Sequence, residues 1–170
     1  MKNSKISIII PTYKRPETLK FALEGIANQD QSLIGEILIG DNSPKEFIDF
    51  NKRVIKDSRL ESLIKYIRHD PPLSPLNNQN ELARQSKYSL LLPHHDDDRL
   101  CDGAIQLLYD LYLNEKDERI ILWFGKNLSI DEKGVPDNLT SKEEMIKYGK
   151  DENEKIKYIW PWCFYICDNG

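Results

Sequence analysis

An α/β fold, a three-layer α/β/α sandwich around a mostly parallel sheet, is predicted by three observations. Short, β-branched, almost continuously apolar runs alternate with stretches whose apolar residues recur at helical spacing. The runs lack polar alternation, as expected of strands covered on both faces. Turn-forming and charged residues cluster directly after the runs, where open α/β sheets bind ligands.

The elements follow in order. Ile6 to Ile10 (ISIII) forms the first strand. Pro16 suits a first helical turn, and Leu19, Ala22, Leu23, Ile26 and Ala27 place an amphipathic helix over residues 16–29. Glu36 to Gly40 (EILIG) forms the second strand, closed by DNSP, and Phe47, Phe50, Val54 and Ile55 mark a helix over 44–57. Ser62 to Arg68 is a third strand, followed by the loop HDPPLSP and a short helix from Asn78 to Lys87. Leu90 to Leu92 is a fourth strand running into HHDDD, and Asp102 to Glu115 is a helix with Ile105, Leu108 and Tyr112 on its apolar face. Arg119 to Gly125 reads as a fifth strand, 127–139 as a loop, 141–148 as a short helix and 158–166 as a strand. Crossovers should be right-handed, with helices on both faces of the sheet.

A chain of 170 residues fits one domain with a real core, and 31% charged residues mark it as soluble and globular. The net charge of −4, without any Lys/Arg block longer than a pair, leaves no footprint for nucleic acid. No run approaches the ~18 apolar residues of a membrane span, and the run after Met1 is too short for a signal peptide. Cytoplasmic residence is the expectation. Cys101, Cys163 and Cys167 make no zinc pattern and suit a reducing compartment; Cys163 and Cys167 read as buried structural residues, with a ligand role as the alternative.

The strand ends hold the chemistry. PTYKRPE, Pro11 to Glu17, offers backbone amides, a hydroxyl, an aromatic face and two cations; GDNSP brings Asp41; HHDDDR brings three adjacent carboxylates. Neither G-x-G-x-x-G nor G-x4-G-K-[ST] occurs, which counts against dinucleotide oxidoreductases and P-loop enzymes. A phosphate would therefore meet its positive charge elsewhere, and Mn2+ or Mg2+ on one or two carboxylates is the obvious source. Such an ion would also explain why three aspartates tolerate one another. Each residue has a plainer reading: Tyr13 as a packed surface aromatic, Asp41 as a turn residue or helix cap, Arg15 as a solvated cation. His94 and His95 could be loop residues or, with an aspartate, zinc ligands. The aspartates alone could be an acidic loop. Their placement at successive strand ends favours a shared site.

ISIIIPTYKRPETLKFALEGIANQ, EILIGDNSP and HDDDRLCDGAI, in this order, resemble family 2 glycosyltransferases of the GT-A fold. The resemblance covers about residues 5–125. NQNELARQSKYSLLLPHHDDD is similar to the family's N-x-N-x-A/L-x-x-A-K-G-x-Y segment, Asn80 taking the second Asn. Tyr88 stands where Gly is usual and Leu90 where Tyr is usual. That alignment puts His95 first and Asp97 third in D-x-D; Asp96 and Asp98 form the alternative register.

The resemblance implies a single domain over residues 1–170, with a nucleotide-sugar-binding core over 1–125 and a partial acceptor-side region over 126–170. It implies that Thr12 and Tyr13 line the base pocket, with Pro11 and Asn80 in the same nucleotide-binding set and Arg15 nearby. Asp41 would accept from the base N–H, favouring uracil. Asp96 would lie near ribose or donor sugar, and Asp97, with Asp98 second, would hold Mn2+ or Mg2+ on the diphosphate. The implied reaction is metal-dependent, inverting transfer from a nucleotide-diphosphate sugar to a glycan or lipid-linked acceptor hydroxyl. A lipid-linked acceptor would draw a soluble enzyme to the inner face of a membrane. The general base stays unidentified: Asp151, Glu152, Glu154 and Asp168 stand in no convincing motif. The chain is shorter than the family usually runs, so a non-catalytic nucleotide-binding module or a truncated fragment is one alternative. A sugar-activating nucleotidyltransferase is the other, although PTYKRPET lacks the glycines its loop would need.

Overall fold

The computed structural model describes residues 5–114 and 165–166. Strands β1 (Ile6–Thr12), β2 (Ile34–Asp41), β3 (Ile64–Arg68), β4 (Leu90–Pro93) and β5 (Tyr165–Ile166) form one sheet in the order β3-β2-β1-β4-β5. The first four are mutually parallel, and β5 pairs antiparallel with β4 through Leu90 and Leu91. The helices are α1 (Pro16–Ala27), α2 (Lys45–Asp57), α3 (Pro75–Gln85) and α4 (Ala104–Asn114). The predicted strand over 119–125, the helix over 141–148 and most of 126–170 lie outside the described residues.

Period-two alternation divides the strand residues between two faces. Ile6, Ile8, Ile10, Ile37, Ile39, Leu90 and Leu92 join Leu19, Leu23, Ile26, Ile55, Ile105 and Tyr109 in one core under α1, α2 and α4. Ile9 and Leu38 point the other way, onto Leu82, with Ile67 and Ala83 beside them under α3. Each fully buried Leu or Ile contributes roughly 1.5–3 kcal/mol relative to exposure. These layers hold the strand ends in fixed register, Thr12 opposite Asp41 and Ile9 opposite Pro93.

Four local expectations shift. α3 starts at Pro75 rather than Asn78, because the Ser74 side chain accepts from Asn77 N–H and caps the helix. The segment 61–63 is a 3-10 turn, and β3 begins only at Ile64. The expected strand over 158–166 is seen at Tyr165–Ile166, where it runs antiparallel. On α2, Phe50 is 55% exposed and Asn51 takes the inward position.

Glycines admit two close approaches. A Cβ on Gly40 would lie 2.0 Å from Asn78 Oδ1, and one on Gly35 would lie 2.2 Å from the Tyr88 ring. Tyr88, a departure from the family pattern, is thus accommodated by a glycine on β2. Beneath it, the buried Glu36 carboxylate accepts from Ser7 Oγ at 2.7 Å and from Lys87 N–H at 2.5 Å. These bonds tie the segment before β4 to β1 and β2.

Candidate functional site

Three chain segments meet at the carboxyl ends of β1, β2 and β4. After β1 the chain turns through Lys14, which adopts a left-handed φ of 58° and donates its N–H to Ser43 Oγ at 2.8 Å. That bond locks the PTYKR turn to the segment after β2. Tyr13 is 51% exposed there, with Lys14 Nζ 4.9 Å from its ring centroid. Arg15 is the N-cap residue of α1 but makes no side-chain capping bond, so its guanidinium is directed elsewhere.

It is directed at the aspartates. Arg15 Nη1 donates to Asp97 Oδ2 at 2.5 Å and to Asp96 Oδ1 at 3.4 Å. Thr12 Oγ1 donates to Asp96 Oδ2 at 2.7 Å. Asp96 is buried, and burial pushes its carboxyl above the usual range, against the lowering effects of Thr12 and Arg15. Asp98 is also raised, first by burial and then by the charge of Asp97. His94 faces inward; burial lowers its imidazole to about 4, and its Nε2 has no hydrogen-bond partner.

The aspartate loop is anchored at both ends. His94 N–H continues the β1–β4 ladder by donating to Ile9 carbonyl at 2.9 Å. Downstream, the buried Gln29 side chain donates to the carbonyls of Gly25 and Cys101 and accepts from Ile105 N–H. Gly25 lets Arg99 and Leu100 pass close over α1, since a Cβ there would lie 2.8 Å from Arg99 Cγ.

Asp41, at the end of β2, is 0% exposed. Its Oδ1 accepts from Ser43 N–H at 2.7 Å; its Oδ2 accepts from Asn51 Nδ2 at 2.8 Å and from Tyr66 Oη at 2.5 Å. Burial and the Asp41 carboxylate together push the Tyr66 hydroxyl above its ordinary value. Neither Asn51 nor Tyr66 stood out in the sequence. An asparagine four residues after Phe47 and four before Ile55, on the inward stripe of a helix, was the available signal.

Asn80 is exposed on α3. Asn78, two residues earlier, is the asparagine turned into the sheet: its Nδ2 donates to Gly40 carbonyl at 2.8 Å, and its Oδ1 lies 3.0 Å from His69 Nε2. Asn42 exchanges two bonds with the Leu73 backbone and pins the loop before α3.

Among the described residues, His95, Asp97 and Asp98 each offer one ligand atom, and these atoms lie within 4.8 Å of one another. Bonds of about 2.1 Å to Mn2+ or Mg2+ separate ligand atoms by up to about 4.2 Å, so a small side-chain adjustment closes the set. One imidazole beside two carboxylates suits Mn2+ better than Mg2+. His94 is not part of this set, which leaves a zinc site one histidine short.

The family model for glycosyl transferase family 2 matches residues 7–166. The chain belongs to this family. A curated relative, the GalNAc(5)-diNAcBac-PP-undecaprenol beta-1,3-glucosyltransferase of Campylobacter jejuni, is 30% identical over 105 residues, 61% of this chain and 33% of the relative. This family 2 chain therefore spans about a third of that relative's length. Among solved structures, S. aureus TarS in complex with UDP superposes with a TM-score of 0.69 at 19% identity, over 95% of this chain and 46% of TarS. The mannosyltransferase PcManGT of Pyrobaculum calidifontis, in complex with GDP-Man and Mn2+, gives 0.58 at 14% identity, over 70% and 34%. The fold of this family 2 member is GT-A. No helix among its described residues is long and apolar enough to cross a membrane.

Proposed function

We propose that this chain carries the donor site of an inverting, metal-dependent glycosyltransferase that uses a nucleotide-diphosphate sugar, UDP-sugar favoured, and a glycan or lipid-linked acceptor hydroxyl. The observation that carries the reading is the meeting of Thr12, Arg15, Asp96 and Asp97 at one rim, with His95 and Asp98 completing a ligand set. Family membership supports the reaction class. The Campylobacter relative, a glucosyltransferase named for an undecaprenol-linked substrate, favours a lipid-linked acceptor and thus work at a membrane surface.

The geometry supports a role for each residue. The exposed Tyr13 ring offers a stacking face for the base, with Pro11 and Thr12 beside it. Asp41 is the base acceptor in this reading: each carboxylate oxygen has two lone pairs, and among the described residues Oδ1 accepts from Ser43 N–H alone, so a base N–H can share it once side-chain movement uncovers the buried carboxylate. Asn80 would join the nucleotide from the exposed side of α3. Asp96, fixed by Thr12, presents an immobile carboxylate toward ribose or sugar. His95, Asp97 and Asp98 would hold Mn2+, or Mg2+ with lower preference. The bound ion supplies charge stabilisation to the nucleoside diphosphate as it leaves.

The test is calorimetric titration of UDP with and without Mn2+, followed by UDP release from a panel of UDP-sugars. Manganese-dependent UDP binding with release supports the proposal. Equal affinity for every nucleoside diphosphate, indifferent to Mn2+, refutes the donor site. Tight UDP binding with no release on any acceptor supports the binding-module alternative.

A further inference from the structure

Arg15 and the candidate ion compete for one carboxylate. Asp97 belongs to the set that would hold the ion, yet its Oδ2 is already paired with Arg15 Nη1 at 2.5 Å. The same guanidinium nitrogen reaches Asp96 at 3.4 Å, so one monovalent cation serves two of the three aspartates. The Arg15 side chain is 52% exposed, and exposed ion pairs contribute little to stability, so the pair can exchange at small cost. The backbone on either side of it is tied down: Lys14 N–H is held by Ser43, and Pro16 starts α1.

We propose that Arg15 is an exchangeable counter-ion that makes metal and diphosphate bind together. The inference rests on the metal reading above. Without an ion, the guanidinium neutralises Asp97 and steadies Asp96. A divalent cation on Asp97 stands beside a guanidinium on the same carboxylate, and the two repel. Arg15 therefore holds the affinity for the ion alone down. A diphosphate gives the displaced guanidinium a new partner of matching planar, forked geometry. Metal and nucleotide then favour each other through a side chain that only one of its two partners can hold. By linkage the effect is reciprocal. Arg15 is thus a positioning residue for the donor, acting through its release from Asp97.

The experiment titrates Mn2+ alone, and then Mn2+ at saturating UDP, into the wild-type chain and its variants, following free Mn2+ by its electron paramagnetic resonance signal. Arg15→Gln should bind Mn2+ alone ~10-fold more tightly than wild type and lose a similar factor of coupling to UDP. Arg15→Lys should keep the weak affinity for Mn2+ alone, because the charge remains, yet lose part of the coupling because the fork is gone. Arg59→Gln, the same charge change in the turn before β3 at the opposite end of the sheet, should alter neither. A merely structural arginine would not raise metal affinity when removed. Arg15→Gln binding Mn2+ no tighter than wild type overturns the proposal. Asp97→Asn separates the two levels: if it abolishes Mn2+ binding while Arg15→Gln is neutral, only the Arg15 role falls. If Asp97→Asn binds as wild type does, or wild type binds no Mn2+ at all, the metal reading falls with it.

Discussion

Thr12 Oγ1 donates to Asp96 Oδ2 across 2.7 Å, joining the end of β1 to the loop after β4 over a sequence separation of 84 residues. This bond sets the orientation of the buried aspartate. Thr12→Val keeps the shape and removes the donor, leaving Asp96 short of a partner. It should destabilise the fold by about 1–3 kcal/mol in urea unfolding. UDP affinity in Mn2+ should fall at the same time. Unchanged stability would mean that water replaces the hydroxyl and that Asp96 is open to solvent.

Asp41 is held by a clamp from two elements. Tyr66 on β3 and Asn51 on α2 both donate to its Oδ2. Tyr66→Phe removes one donor from a buried carboxylate and should cost about 1–3 kcal/mol. Nucleotide affinity should drop too, because the remaining Asn51 lets the carboxylate turn. A variant of normal stability but tenfold weaker UDP binding would place Tyr66 on the nucleotide itself instead.

Much of this arrangement was legible because it depends on local sequence. The isoleucine runs, the Pro16 helix start and the order of motifs gave the parallel sheet and the rim residues at its strand ends. Asn51 and Tyr66 were not legible, because each looks ordinary in its own element and matters only through a contact formed between elements. The metal set illustrates the same limit: sequence favoured Asp97 and Asp98, and the backbone turn also brings His95 to them. Alignment singles out Asn80, whereas helical phase turns Asn78 inward, onto Gly40. Phe50 was expected inward from apolar character alone, but the stripe of α2 runs through Asn51 and Ile55.

Gln29 links α1 to the first turn of α4 through three hydrogen bonds. Gln29→Leu conserves bulk but strands the Ile105 N–H and takes from the Cys101 carbonyl one of its two donors, leaving it the Ala104 N–H. The expected loss is about 1–3 kcal/mol, with faster amide exchange at the start of α4 as the specific signature. Normal exchange there would show that the loop after the aspartates is held by packing instead.

His94 makes stability depend on pH. Burial depresses its pKa to about 4 from the ordinary 6.5, so between these values the unfolded chain binds a proton that the folded chain excludes. Its contribution is full above pH 6.5 and is lost as pH falls toward 4; it amounts to on the order of 3 kcal/mol. A bound ion would depress the pKa further, so the experiment uses metal-free protein. His94→Gln should flatten the stability profile between those values, as measured by urea unfolding in a pH series. An unaltered slope would assign the acid sensitivity to other groups.

The most direct measurement is pulsed electron paramagnetic resonance of Mn2+ bound to the chain with UDP. Phosphorus coupling from the diphosphate is expected together with nitrogen coupling that disappears in His95→Ala, and the bound signal should be lost in Asp97→Asn. A bound Mn2+ whose spectrum and affinity neither substitution changes would contradict that expectation.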